Sequence, residues 1–335
     1  MIKIGHIGLG RMGLFHAENI SQMNDACLYA LCDLDEEKLA KEAKRLNAKK
    51  TYNDFDDMIA DEEIDAITIT SPSHLHTEQI AKALKAGKHV FSEKPLGTTV
   101  DQCKIAEKAV EEHPNQIFML GFMRRFDSSY KYAKEAIDSG KIGKVYMVRS
   151  YSQDPTKNIE GAIAFGPHSG GEFLDMCVHD IDLMRWFIGS EPKKVWAIGG
   201  CYAYPEFAEW NDGDNVSALM KFENDAMGFL FAGRTAPHGY NVETEIFGTE
   251  GIIRIGSVPQ KNLVEILDKD GIRKEMSQDF IERFSDSFKA ELKEFVSCVR
   301  ENRKPEITVY DGTAVSHIAY KCKESFETGE LVDID

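Results

Sequence analysis

The sequence places a lysine, an aspartate and a histidine where they could take part in a proton-coupled redox step on an alcohol. Lys94 sits in Glu93-Lys94-Pro95, directly after the strand-like run KHVFSE, and Pro95 fixes the backbone beside it. The Lys94-Pro95 peptide bond is expected trans, the ordinary state of an X-Pro bond, with a cis turn the open alternative because X-Pro bonds tolerate cis cheaply. Asp175 and His179 fall one helical turn apart within Gly170-Gly171-Glu172-Phe173-Leu174-Asp175-Met176-Cys177-Val178-His179-Asp180-Ile181-Asp182, and Asp182 continues the same stripe. Solvent-facing stripes usually carry Lys and Glu, whereas this one sets a histidine between carboxylates in an apolar helix. Removing a hydride from an alcohol carbon requires that the hydroxyl proton leave, and an imidazole with an ordinary pKa of about 6.5 suits that work near neutral pH. His179 is therefore the expected base. Asp175 would hydrogen-bond the substrate or orient the imidazole, and the Lys94 cation would stabilise the developing alkoxide. A plain surface lysine and a solvated helix face stay open as alternatives.

A second set of residues points to a dinucleotide. Gly8-Leu9-Gly10-Arg11-Met12-Gly13 follows the strand-like IKIGHI and opens a helix, the position that a GxGxxG fingerprint requires. Gly8 permits the turn, Gly10 lets a pyrophosphate approach the backbone, and Gly13 lets helix and strand pack closely, with Arg11 and Met12 between them. Asp33 ends the next strand, where its carboxylate can accept from ribose hydroxyls and repel a 2′-phosphate, which selects NAD over NADP. Thr70, Ser71, Pro72 and His74 end another strand and join the expected cofactor contacts, as do Glu93 and Lys94. The pair His74 and His76 shows no third ligand nearby, so no metal site is expected.

Around these residues the first half alternates β-branched runs with helical patterns, which argues a doubly wound parallel sheet. From KVYMVRSYSQD onward, long extended runs joined by turn signals argue an open antiparallel sheet with a few helices. With 335 residues, 42% of them hydrophobic, two domains are expected, at 1–123 and 124–335. A net charge of −16 disfavours nucleic acid and anionic lipid as partners. No run approaches the roughly 20 apolar residues of a membrane span. The start of the chain lacks a hydrophobic leader, and its seven scattered cysteines form no metal or redox spacing, so a soluble cytoplasmic protein is expected.

Taken in order, the GxGxxG turn, Glu93-Lys94-Pro95, Gly121-Phe122-Met123-Arg124-Arg125-Phe126-Asp127, the Gly170 to Asp182 stretch and Phe247-Gly248-Thr249-Glu250-Gly251 resemble the Gfo/Idh/MocA family of oxidoreductases, and within it the inositol 2-dehydrogenases. The resemblance spans nearly the whole chain. It implies an α/β fold, a Rossmann-type doubly wound parallel sheet plus a second α+β domain with a large open antiparallel sheet, often tetrameric through that sheet. It implies NAD-dependent oxidation of a cyclic polyol, with myo-inositol to the 2-keto inositol leading, and scyllo-inositol or a sugar as the alternative. A non-catalytic dinucleotide-binding regulator is the reading from a different class, although it would need none of Lys94, Asp175 and His179. The resemblance further suggests Met123, Arg124, His238 and Tyr240 as substrate contacts. Histidine at 238, where a phenol is more usual, bears on the preferred stereoisomer. The segment 158–169 is expected as a glycine-containing loop, with Asn158 and His168 able to donate to ring hydroxyls.

Overall fold

The computed structural model describes residues 1–256 and 260–335, and the chain divides into two compact units. Unit 1 comprises residues 1–123 and 288–316, and unit 2 comprises residues 124–287 and 317–335.

Unit 1 holds six strands, β1 (Ile2–Ile7), β2 (Ala26–Cys32), β3 (Lys50–Tyr52), β4 (Ala66–Ile69), β5 (His89–Glu93) and β6 (Phe118–Gly121). Between them run the helices α1 (Arg11–Ser21), α2 (Glu36–Leu46), α3 (Phe55–Ala60), α4 (His76–Lys85) and α5 (Val100–Glu112). The sheet order is β3-β2-β1-β4-β5-β6, all neighbours parallel, so the strand order reverses between β1 and β4. In such sheets ligands bind beyond the carboxyl ends of the strands at that reversal. Near-continuous apolar runs such as ALC in β2 and AITI in β4 are buried, as expected for strands covered on both faces.

Unit 2 opens with α6 (Ser128–Asp138), β7 (Val145–Pro155), α7 (Ile159–Ser169), α8 (Glu172–Asp175) and α9 (Val178–Ile188). It continues with β8 (Pro192–Gly200), β9 (Asn215–Phe222), β10 (Met227–Ala236), β11 (Asn241–Gly248), β12 (Ile252–Ile255), β13 (Gln260–Asp268) and β14 (Gly271–Met276). The chain ends with α10 (Phe280–Glu301), α11 (Val309–Thr328) and β15 (Val332–Asp333). The large sheet runs β12-β11-β7-β10-β9-β8-β15 and is antiparallel except for the parallel pair β7 and β10, because the chain crosses through α7, α8, α9, β8 and β9 between them. One face, with Val148, Val216, Leu230 and Ile246, is buried, and α9 packs on β7. On the other face Trp196, Leu219 and Phe229 stand in register across three strands, and Trp196 and Leu219 are exposed.

Several expectations need correction. Residues 288–316 group with unit 1 rather than with the rest of 124–335, because α10 turns Phe288 and Phe295 onto Phe15 and Phe91 there. The segment 158–169 is a helix, α7, rather than a loop: Pro167 near its end does not break it, and Gly166 lets the Trp210 indole approach so closely that an added Cβ would lie 2.5 Å from the ring. The Lys94-Pro95 bond is cis, not trans. The stretch 172–188 is two helices parted at Met176 and Cys177, so Asp175 and Asp182 do not share one continuous stripe.

Nor is that stretch a solvated face. Asp182 is buried and bonds Arg125 through Nε at 2.8 Å and Nη2 at 2.5 Å, and Arg125 also lies over the Trp186 ring. Asp180 accepts from Arg124 at 2.7 Å and from the Ser150 and Ser152 hydroxyls. Removing one partner of a buried pair strands the other charge, at a cost of about 3–5 kcal/mol. Asp182→Ala is accordingly expected to destabilise the protein by about that amount, read from urea unfolding midpoints; a change under about 0.5 kcal/mol would mean that Arg125 is not held there.

Candidate active site

In unit 1 the glycine-rich turn is held by backbone fit. Gly8 takes φ +91°, and a Cβ there would stand 2.7 Å from the Thr70 carbonyl oxygen. At Gly13 a Cβ would lie 1.8 Å from the Gly8 carbonyl oxygen, so no other residue fits without moving the turn. Gly10, which caps α1, faces open space, and α1 has neither a side-chain cap nor an acidic residue in its first turn. Its first amides are thus left for an anion. Asp33 closes the turn from below: its carboxylate accepts from the Leu9 amide at 2.6 Å and from the Asp35 amide at 3.0 Å. Each of its oxygens retains a second lone pair for a ribose hydroxyl.

The Thr70 hydroxyl lies 2.8 Å from the Ile7 carbonyl and 2.9 Å from that of Gly8, so its proton serves the turn. His6, which the sequence reading missed, lies beneath it, with Nδ1 2.7 Å from the Thr68 hydroxyl and Nε2 3.0 Å from the Gly8 carbonyl. Burial, and then the neighbouring His16, push His6 down to about 3, so it works as a neutral ring. Arg11 and His74 are exposed, and Met12, Ser71 and Lys94 are half-buried. His76 contacts the Pro95 carbonyl through Nδ1 at 2.9 Å and the Ser71 carbonyl through Nε2 at 2.8 Å. It therefore lies between the segment after β4 and the Glu93-Lys94-Pro95 turn; burial lowers it, so the neutral ring donates to one of the two carbonyls. Glu93 points inward, its Oε1 2.6 Å from His16 Nε2 and its Oε2 accepting from the Lys94 amide at 3.1 Å.

In unit 2, Asp175 ends α8 and accepts from Arg234 Nη2 at 2.5 Å. Arg234, on β10, also donates to Glu172 at 2.9 Å and Asp154 at 2.8 Å, so one guanidinium joins three carboxyls. Burial pushes the Glu172 carboxyl well above the usual range, while Arg234 pulls it back. His179, the second residue of α9, is buried to 8% exposure, directly before the anchored Asp180. Burial alone would lower the Arg124 guanidinium, but Asp180 together with Tyr240 and Tyr130 outweighs it and raises it. Tyr240 is buried beside Phe280 and Phe284, and Arg124 lies over the Phe284 ring. Met123 is buried, Asn158 is half-buried at the head of α7, and His168 and the turn residue His238 are exposed.

Residues 2–122 match the family model described as an oxidoreductase family with an NAD-binding Rossmann fold, and residues 130–254 match the model of the GFO/IDH/MocA C-terminal domain. The chain belongs to the Gfo/Idh/MocA oxidoreductase family. It is 35% identical to a myo-inositol 2-dehydrogenase of Thermotoga maritima over 100% of this chain and 99% of that one. A solved structure of a scyllo-inositol dehydrogenase from Lactobacillus casei, with bound NAD(H) and scyllo-inositol, superposes with a TM-score of 0.96 at 45% identity, covering 100% of this chain and 99% of that one. A myo-inositol 2-dehydrogenase from Lactobacillus plantarum superposes with a TM-score of 0.97 at 39% identity, with the same coverage. As an oxidoreductase of this family the chain uses NAD, and the open backbone at Gly10, the uncapped head of α1 and the Asp33 carboxylate fit that dinucleotide.

The glycines give a direct test of the turn. Gly13→Ala is expected to lower the melting temperature and abolish NAD binding together, because its Cβ has no room. Gly10→Ala is expected to melt like the parent and to lose roughly tenfold or more in NAD affinity, since it fills space only a ligand would need. Fluorescence titration with NAD beside thermal melts reads both, and a Gly10→Ala variant that bound NAD normally would move the pyrophosphate elsewhere.

Proposed function

We propose that this protein oxidises one secondary hydroxyl of an inositol ring with NAD, giving the ring ketone. His179 removes the hydroxyl proton, Lys94 stabilises the oxygen as negative charge develops, and Asp175 accepts a hydrogen bond from a neighbouring ring hydroxyl. NAD, when bound, accepts the hydride. Gly8, Gly10, Arg11, Met12, Gly13, Asp33, Thr70, Ser71, Pro72, His74, Glu93 and Lys94 form its proposed contacts. Met123, Arg124, Asn158, His238 and Tyr240 complete the proposed surroundings of the ring.

The observation that carries this reading is the presence of Lys94, Asp175 and His179 in a chain that matches inositol dehydrogenases over its full length. Local chemistry supports the roles. An imidazole at 8% exposure is shielded from bulk water, and a carboxylate bonded to the Arg234 guanidinium stays available as an acceptor. The myo reading leads from the sequence, but the higher identity to the scyllo-inositol enzyme, 45% against 39% and 35%, favours scyllo-inositol as a second reading. The two substrates converge chemically: oxidising the axial hydroxyl of myo-inositol or any hydroxyl of scyllo-inositol gives the same ketone. Discrimination therefore lies in how a few hydrogen bonds orient the ring, worth a few kcal/mol.

The proposed location is the cytoplasm, which the seven free cysteines support. The proposed assembly is a homotetramer through the open sheet face, supported by the exposed row of Trp196 and Leu219 with Ile198 beside it. Light scattering on Leu219→Glu should then report smaller particles than the parent, and an unchanged mass would remove this face from the assembly.

An NAD-coupled panel of myo-inositol, scyllo-inositol, chiro-inositol and glucose tests the substrate, with the inositols expected to exceed glucose in kcat/KM. His179→Ala is expected to lose about 10²–10⁴-fold in turnover, the usual worth of a general base, while binding NAD nearly as before. Wild-type turnover in that variant would refute the base assignment.

A further inference from the structure

Unit 1 buries a carboxyl that the mechanism does not use. Glu291, on α10, is fully buried, and neither of its carboxyl oxygens has a hydrogen-bond partner among the described residues. Polar atoms of Glu291, Glu93 and His16 all lie within 4.8 Å of one another. The surroundings are aromatic: the His16 ring packs edge-on against Phe91 at 5.6 Å and Phe288 at 5.7 Å. The groups facing the cluster are few: His16 from α1, Glu93 from β5, His6 from β1 beside His16, and His76 near both Glu93 and Lys94.

Two carboxyls this close in an apolar pocket cannot both ionise, so a proton or a cation must sit with them. The geometry selects the proton. His16 Nε2 and Glu93 Oε1 are 2.6 Å apart, a direct hydrogen bond, whereas ligands of one ion with bonds of about 2.0–2.2 Å in a tetrahedron stand more than about 3 Å apart. Burial, and then the Glu93 charge, push the Glu291 carboxyl well up, which puts the proton there. Glu93 is left with one charge for its two donors, His16 and the Lys94 amide.

We propose that Glu291 is a positioning residue for the Glu93-Lys94-Pro95 turn: it keeps the single proton of the buried carboxyl pair, so that Glu93 grips His16 and the Lys94 amide. The consequence for catalysis rests on the role proposed above for Lys94.

The linkage follows from the raised carboxyl. The native chain keeps a proton that the unfolded chain, with an ordinary glutamate pKa of about 4.3, has released. The stability this proton contributes is present at low pH and is lost as pH climbs from there toward the native value. E291Q, which copies the protonated carboxyl without titrating, is expected to melt higher than the parent at alkaline pH and to show a flatter fall of Tm from about pH 5 to 8. Infrared spectra at pH 7 should show a protonated-carboxyl stretch in the parent that E291Q lacks. E291A should lose roughly tenfold in kcat, and E291Q should regain most of that loss. Absence of the stretch, or stoichiometric Zn²⁺ or Mn²⁺ held by the parent and lost in E291Q, would overturn the shared proton. Full kcat in E291A, with the stretch present, would overturn the positioning role. Wild-type turnover in K94M would instead sink the role of Lys94 and leave the spectroscopic result standing.

Discussion

A charge moved from water into a protein interior costs several kcal/mol unless a counter-charge or a proton meets it there. Among the described residues, three such solutions bear on the two candidate halves of the site. Arg124 and Arg125 neutralise Asp180 and Asp182, Arg234 gathers Asp154, Glu172 and Asp175, and Glu93 faces His16 beside Glu291. Each of these solutions joins elements far apart in sequence, at separations of 56 residues or more. The polar residues that look like a reactive stripe in the sequence are thereby divided between anchoring and the proposed chemistry.

That division explains how α9 can present a histidine with a fixed direction. Asp180, directly after His179, and Asp182, three positions on, are tied to adjacent arginines by bonds of 2.5–2.8 Å, which restrains rotation of the helix about its axis and sliding along it. The Ser150 and Ser152 hydroxyls brace Asp180 from β7, so the strand also fixes the helix. Asp175 is restrained separately through Arg234, and the break at Met176 and Cys177 lets the two helices take their own directions. For the proposed base such supporting bonds matter, since a base displaced by about 1 Å loses much of its effect.

What the sequence made legible follows from the range of the interactions. The glycine turn is local: a tight turn, an open capping position and a helix packed on a strand each demand glycine at a fixed spacing, so Gly8, Gly10 and Gly13 announce themselves. The parallel sheet is equally legible, because buried strands read as continuous apolar runs and the connecting helices are amphipathic. Arg234 is not legible. It lies 59 residues from Asp175 and 80 from Asp154, and nothing in GFLFAGRTA marks that arginine as the hub of a buried cluster. His6 and His16 are hidden for the same reason, and His76 shows in the sequence without its role, because the partners of all three lie on other elements. The segment 158–169 reads as a loop from its glycines, whereas Gly166 serves a tight approach to Trp210 within a helix rather than a turn.

The acidity of the chain bears on the cofactor through one carboxylate rather than through the net charge of −16. An overall field is screened within about 8 Å at physiological ionic strength, whereas the pyrophosphate would meet uncapped amides at contact distance. Asp33 acts at that same short range. Its two backbone bonds, to Leu9 and Asp35, hold the carboxylate at the mouth of the turn in one orientation, and a 2′-phosphate there would meet a fixed negative charge that cannot swing away. The residues after it, Leu34, Asp35 and Glu36, supply no cation to offset the repulsion. In the proposed arrangement, discrimination between the two nicotinamide cofactors follows from the bonds that hold the glycine turn, so the side chain that shapes the turn is also the one proposed to set which dinucleotide it accepts.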